Sequence, residues 1–334
     1  MDAVVTEIVV GVDGGNSKTD VAVADTRGRV LSLVTGPGSS PDTLGVDGAL
    51  AVIGDLVTDA LDQAGVTGKG PLGLATLLAG LDLPEEDAPA FAVALRARFP
   101  EPVQVVDNDT VAALLAGTGG APGVVVICGA GINAAGLSAT GQRVGFLSLG
   151  QLSGDWGGGL SLGQEVLWHA VRDEDGRGPR TALTAGVREH FGTRSVTEVV
   201  LAIHRGEFPA GRLAELVPVL LAADGLGDPT AETIVSRLIR EVADMAQVML
   251  DRAGLTETPA PVVLAGGVLT SRHGRLVDEI VREVAVRSPK ATVAMLGCRP
   301  VAGALIAALQ AAATGPTEEA AERVIAAPEL RLTD

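Results

Sequence analysis

The feature that most constrains this chain is the stretch Ile8-Val9-Val10-Gly11-Val12-Asp13-Gly14-Gly15-Asn16-Ser17-Lys18-Thr19-Asp20, which runs on into Val21-Ala22-Val23-Ala24. A β-branched run that enters a Gly-Gly turn and leaves through apolar residues reads as a hairpin, because glycine takes the positive φ angles a tight turn needs. Gly14 and Gly15 carry no side chains, and Asn16, Ser17 and Thr19 follow, so backbone N–H groups and hydroxyls can converge on one anion, as in a phosphate nest. Asp13 stands at the strand end, where a carboxylate facing phosphate is useful only with a cation such as Mg²⁺ between them. Taken alone, the stretch reads equally well as an ordinary glycine-rich hairpin. Neither GxxxxGK[ST] nor a helix-opening GxGxxG occurs here, so the P-loop and dinucleotide-fold readings lose their main support.

Further along, Val30 to Val34 reads as a third strand and Gly36 to Asp42 as a Pro/Gly loop. A helix follows over Gly48 to Ala64, then a short buried strand over Leu74 to Leu78. Pro84 to Phe99 has helical spacing, Val103 to Val106 reads as a strand, and Thr110 to Ala116 as a helix. Three meander strands continued by βα crossovers form one unit. The unit starts again at Val124-Val125-Val126-Ile127-Cys128, which enters Gly129-Ala130-Gly131-Ile132-Asn133, another strand and glycine-rich turn. A second phosphate-facing hairpin one domain after the first implies a duplicated α/β fold with ligand between its halves. We place the domains at 1–117 and 118–334. Later elements are a helix over Thr230 to Ala253, the strand Pro261 to Leu264 running into Gly266-Gly267, and a helix over Pro300 to Ala313. Asn108-Asp109 lies at a strand's carboxyl end, the edge that faces ligand in α/β folds, although a simple helix cap reads as well.

The charge narrows the partners. With 25 Lys+Arg against 41 Asp+Glu, a net −16 argues against nucleic acid and anionic membrane surfaces. It leaves room for an anionic nucleotide held by a local nest and a metal. Cys128 and Cys298 match no metal spacing, which suits buried thiols in a reducing cytoplasm. The first residues lack the basic region of a signal peptide, and no run reaches the ~18 apolar residues of a membrane span. None of the four histidines, His169, His190, His204 and His273, shows ligand spacing, so all read as structural or exposed.

These segments together resemble the N-acetylglucosamine kinase branch of the BadF/BadG-type ATPases, within the superfamily of hexokinases and actin. The resemblance covers nearly the whole chain. The family's first phosphate loop, roughly GxDGGGTKT, is matched by Gly11 to Thr19, and its second, resembling SGTGSNA, by Cys128 to Ala134. The adenosine-side Gly-Gly falls on Gly266-Gly267, and Arg299-Pro300-Val301-Ala302-Gly303-Ala304-Leu305 is similar to the closing helix. Gly150 to Gly159 looks like the GDEGS sugar loop, with Asp155 in place and Trp156 where the family has Glu. Cys128, Ala130, Ile132 and Ser40 also depart from the pattern, the last from a sugar-binding Asn. Each lost hydroxyl or amide removes a hydrogen bond of roughly 0.5–1.5 kcal/mol.

The resemblance implies a duplicated ribonuclease H-like fold with an interdomain cleft for ATP and sugar, and a homodimer. It implies ATP phosphates held by Gly14, Gly15, Asn16, Ser17, Lys18, Thr19, Gly129, Ala130 and Gly131, with Asp13 in Mg²⁺'s outer sphere. An amino sugar would meet Ser40, Asn108, Ile132, Asn133, Gly150 and Asp155, and Asp109 would act as general base. At Gly131 a positive φ and a close phosphate are expected. Other readings stay open. One is a glucosamine or N-acetylmuramic acid kinase of the same fold, another is a redox-enzyme activator with an iron–sulfur cluster on paired cysteines, and a third is a sugar sensor without catalysis.

Overall fold

The computed structural model of the protein describes residues 7–66, 70–83, 85–271, 273–312 and 318–332. Five strands build the first sheet: β1 (Ile8–Gly14), β2 (Lys18–Asp25), β3 (Val30–Pro37), β4 (Gly73–Leu78) and β5 (Val103–Asn108), in the order β3-β2-β1-β4-β5. The first three strands pair antiparallel, as the hairpin pattern requires. β4 and β5 add in parallel on the other side of β1. Their crossovers are the helices α1 (Pro41–Gln63), α2 (Asp87–Arg98) and α3 (Asp109–Thr118). Val10, Val12, Val21 and Val23 are fully buried, packed with Ile53, Phe91 and Leu95 from α1 and α2. Thus the alternating apolar pattern of the opening stretch becomes the centre of a core.

The second sheet uses β6 (Gly123–Cys128), β7 (Ile132–Leu137), β8 (Arg143–Gly145), β9 (Ala260–Ala265) and β10 (Ala291–Met295), in the order β10-β9-β6-β7-β8. Read from its other edge, this is β8-β7-β6-β9-β10, the order of the first sheet with five added to every number. The topology is duplicated. Helices α4 (Gly158–Glu174), α5 (Leu183–Phe191), α6 (Val196–His204), α7 (Val217–Gly225), α8 (Pro229–Arg252) and α9 (Gly274–Arg287) fill the long insert before and after β9. α10 (Val301–Ala311) and α11 (Glu318–Ala326) close the chain.

Compactness divides the chain into one unit of residues 1–125, 135–147 and 295–334 and another of 126–134 and 148–294. The sequence boundary at 117/118 differs from this in giving the terminal helix to the second half. The physical reason is in the packing of α10, which is buried all round from Val301 to Leu309 and lies against β1 and α3. A Cβ on Gly11 would sit 2.5 Å from the Leu305 nitrogen, and one on Gly303 would collide with the Ala112 carbonyl. Only a bare backbone admits that approach.

Three boundaries also move. β3 continues to Pro37 and α1 opens at Pro41, so the expected loop is shorter; proline at the first helical turn has no N–H to lose. α1 then bends at Gly45, whose φ is +70°, before the regular helix expected from Gly48. The helix expected from Pro84 starts at Asp87; Pro84 lies outside the described residues, as do Met1 to Thr6 and Ala313.

Candidate functional site

The β1–β2 hairpin closes through the Gly15 N–H, which donates to the Lys18 carbonyl at 2.8 Å, and the Gly15 carbonyl accepts from Ser39 N–H at 3.1 Å. Gly15's N–H is therefore engaged by the hairpin itself. Among the described residues, the N–H groups of Asn16 and Ser17 hold no backbone partner and are the ones left for an anion. Neither Gly14 nor Gly15 has positive φ, contrary to the expectation for this turn. Gly14 is needed for space instead, because a Cβ there would collide with Ser39 Oγ and Leu78 Cδ2. Thr19 is fully buried and donates its hydroxyl proton to Ser39 Oγ at 2.8 Å, so it braces the loop from within. Lys18 Nζ donates to Asp20 at 2.7 Å. Asp20, also buried, accepts from Thr35 Oγ1 at 2.6 Å and lies 3.4 Å from Arg299. Burial pushes the Asp20 carboxyl up, but Lys18, Thr35 and Arg299 together outweigh it and hold the group below its ordinary range. Lys18 thus serves the hairpin's own carboxylate.

The carboxyl ends of β4 and β5 bring acids together. Asn108 ends β5 and caps α3, its Oδ1 accepting from Thr110 N–H at 2.9 Å and Thr110 Oγ1 at 2.6 Å. Its Nδ2 donates to Asp82 at 2.9 Å and to the Leu81 carbonyl at 3.4 Å. Asn108 is fully occupied as a cap and brace, the plainer of its two sequence readings. Asp109 follows as the first residue of α3, and its carboxyl is pushed up to about 6, chiefly by burial and next by Asp82, against the Thr110 and Asp109 N–H groups. Asp13 at the end of β1 is pushed up to about 8, chiefly by burial, then by Asp109 and Asp20, with Lys18 opposing. Asp82, which the sequence did not single out, is raised by burial and then by Asp42, although Asn108 lowers it. Carboxylates that raise one another lack positive charge. Among the described residues no three metal-ligating side chains converge. The carboxylates present would suit a Mg²⁺ that arrives with phosphates and water. Ser40 is 1% exposed and its Oγ has no hydrogen-bond partner among the described residues.

In the second unit the β6–β7 hairpin closes through Gly129 N–H to the Gly131 carbonyl at 2.9 Å. The N-terminus of α4 docks on it, Gly159 N–H donating to Gly129 at 2.7 Å and Leu160 N–H to Ala130 at 3.2 Å. Gly131 corrects the sequence expectation: it has no positive φ, and a Cβ there would meet open space. The tight positions are Gly158, with φ +73° against the Gly131 backbone, and Gly266, with φ +93° against the Cys128 backbone. Gly129, Ala130 and Gly267 line one cavity of about 720 Å³. Val217 and Leu221 of α7, Val268 and His273 are also in its wall. Val217 and Leu221 were not legible as site residues, since aliphatic residues at helical spacing read as core, and His273 had no ligand spacing to be read. Asn133 Oδ1 accepts from the adjacent Ala134 N–H at 2.7 Å, which leaves its Nδ2 amide to donate, whereas Ile132 is buried and has no polar atom in place of the family's serine hydroxyl.

Gly150, with φ +63°, starts a short turn whose Ser153 hydroxyl contacts Asp155 Oδ2 at 2.6 Å. Asp155 N–H donates to the Gly150 carbonyl at 3.0 Å, which holds the carboxylate over the turn. Trp156 is fixed from two sides: the Arg237 guanidinium lies 3.9 Å over its ring, and Nε1–H donates to Glu165 at 3.3 Å. One ring face is thereby covered by Arg237. Both cysteines are buried, and burial pushes their thiols up to about 12 for Cys128 and about 11 for Cys298, conditions unlike those of ligating thiolates.

A five-stranded 3-2-1-4-5 sheet used twice, each copy opened by a glycine hairpin, defines the actin/hexokinase-type α/β fold. The chain belongs to the BadF/BadG/BcrA/BcrD ATPase family, whose sequence pattern matches residues 10–311. It is 28% identical over 318 residues to the N-acetyl-D-glucosamine kinase of Dictyostelium discoideum, covering 91% of this chain and 98% of that one. It is 24% identical to an N-acetylmuramic acid/N-acetylglucosamine kinase of Clostridium acetobutylicum, over 90% of this chain and 97% of the other. Among solved structures, a Chromobacterium violaceum protein assigned as an N-acetylglucosamine kinase superposes with a TM-score of 0.69 at 23% identity, covering 92% of this chain and all of that one. No helix among the described residues is long and apolar enough to cross a membrane.

Proposed function

We propose that the protein is an ATP-dependent amino-sugar kinase that phosphorylates the 6-hydroxyl of N-acetylglucosamine, with Asp109 as general base. The observation that carries this reading is the division of labour at the end of β5. Asn108 takes the capping and bracing bonds, and Asp109 keeps a partly buried carboxylate that interacts with Asp13 of the phosphate hairpin. A carboxyl pushed up to about 6 is ionised near neutral pH and basic enough to accept a proton from an alcohol. A sensor needs no such group.

The chain's own residues would divide the work of phosphoryl transfer, which is positioning, charge neutralisation and acceptance of one proton. Asn16 and Ser17 N–H groups would hold phosphate oxygens on the first hairpin, and the Ala130 and Gly131 N–H groups would do so on the second. Mg²⁺ would supply the positive charge that Asp13, Asp109 and Asp82 lack. Asp155 and Ser40 would orient the sugar, the first by accepting hydroxyl protons and the second through its unpartnered hydroxyl. The names of the two curated relatives support the sugar class. A coupled ADP-release assay over amino sugars and neutral hexoses with Mg-ATP tests the reading. N-acetylglucosamine should raise ADP release well above the water background, and a screen in which no sugar does so refutes it.

A further inference from the structure

The cavity beside Gly129 and Gly267 has a wall of small and aliphatic residues and one aromatic ring, that of His273. Such rings are scarce in this chain, which has no Tyr, two Trp and five Phe, so a ring set into a cavity wall is a specific feature. His273 caps α9, where its Nδ1 accepts from Leu276 N–H at 3.4 Å. Its Nε2 lies 3.2 Å from Asp224 Oδ2, and the side chain is 14% exposed. Asp224 is buried, and its other oxygen is held by Arg275. Arg275 is itself fixed by Ser236 Oγ at 2.7 Å and Glu279 at 3.1 Å. One imidazole nitrogen is thus taken by the α9 cap and the other lies beside a buried carboxylate oxygen that has no hydrogen-bond partner of its own among the described residues, while the ring lines the cavity. A flat ring seated on a helix cap costs little ordering when a planar ligand arrives.

We propose that His273 is the stacking plate for the nucleobase of ATP, seated on the N-terminus of α9 beside the buried Asp224. The proposal rests on the kinase reading, which puts the phosphates at the β6–β7 turn, whose Gly129 and Ala130 line the same cavity. Val217, Leu221 and Val268 supply the apolar remainder of a base-sized slot. Asp224 and Arg275 act through His273, as positioning residues.

Two substitutions separate ring from cap. His273→Asn keeps a capping acceptor and removes the ring, whereas His273→Phe keeps a flat ring and removes the cap. Calorimetric titration of the full chain with a non-hydrolysable ATP analogue and, separately, with inorganic tripolyphosphate reads base and phosphate binding apart. His273→Asn should weaken the analogue about tenfold, within the span for losing one stacked aromatic, and leave tripolyphosphate within about twofold. It should raise KM for ATP about tenfold more than it lowers kcat, and His273→Phe should recover most of the loss. Equal weakening of analogue and tripolyphosphate, normal analogue binding by His273→Asn, or no rescue by His273→Phe would each overturn the plate. Wild-type protein that binds tripolyphosphate as tightly as the analogue would sink the plate and spare the phosphate assignment. Wild-type protein that binds neither removes the kinase reading and the plate with it.

Discussion

Replacing Asp109 by Asn should move activity and stability in opposite directions. The side chain keeps its shape, and its neighbours Asn108 and Thr110 keep their capping bonds, so the crevice and nucleotide affinity should persist. What disappears is the proton acceptor, and kcat should fall about 10²–10⁴-fold, the span of a general base. That corresponds to roughly 3–5 kcal/mol of transition-state stabilisation. Stability runs the other way. Burial and Asp82 raise the folded-state pKa from 3.8 to about 6, so the ionised carboxylate is a cost to the fold at neutral pH. The wild-type side chain is neutral in both states below about pH 4, and its destabilisation builds as pH climbs through about 6. A shift of about two units is worth on the order of 3 kcal/mol at pH 8, and coupling to Asp82 and partial solvent access reduce it. The substitution should therefore raise Tm by a few degrees at pH 8 and by almost nothing at pH 4, read by calorimetry of the ligand-free protein. In parallel, wild-type kcat/KM should drop about tenfold per unit below pH 6. A variant with near-normal turnover, or one whose Tm falls at pH 8, would remove Asp109 from the role of a partly buried, ionised base.

Three further outcomes follow from single contacts. Gly266→Ala should lower Tm markedly or abolish expression, because the new Cβ strikes the Cys128 backbone at φ +93°, whereas Gly131→Ala, pointing into open space, should melt within about a degree of wild type; equal effects would refute the packing. Asp155→Ala should raise KM for the sugar much more than KM for ATP, and a matched rise in both would make it a structural residue. Asn108→Ala removes a cap and the brace on Asp82 together, and should cost about 1–2 kcal/mol in denaturant unfolding, with a change below about 0.3 kcal/mol counting against the cap.

Both glycine hairpins were legible because the signal is local: apolar residues on either side of a side-chain-free turn leave few alternatives to a paired ribbon. Repetition of that signal then implied the duplicated fold, and the two matching sheet orders follow. Where the reading failed, the missing information was a neighbour distant in sequence. Glycine at 14 and 131 looks the same in the sequence, yet one is required by Ser39 Oγ and the other by nothing within 4 Å. α10 is apolar on every side, which predicts burial without saying against what, so its return to β1 and α3 was hidden. Lys18 beside a phosphate loop suggested a phosphate ligand, but Asp20 two residues on, facing the same way along a strand, is the closer anion. Asn108-Asp109 offered one cap and one base in adjacent positions, and only the bonds to Thr110 and Asp82 assign the cap to the first. His273 shows the limit most sharply: a lone histidine has no spacing to be read, and its claim on a ligand exists only once Asp224, Leu276 and the cavity wall are assembled around it.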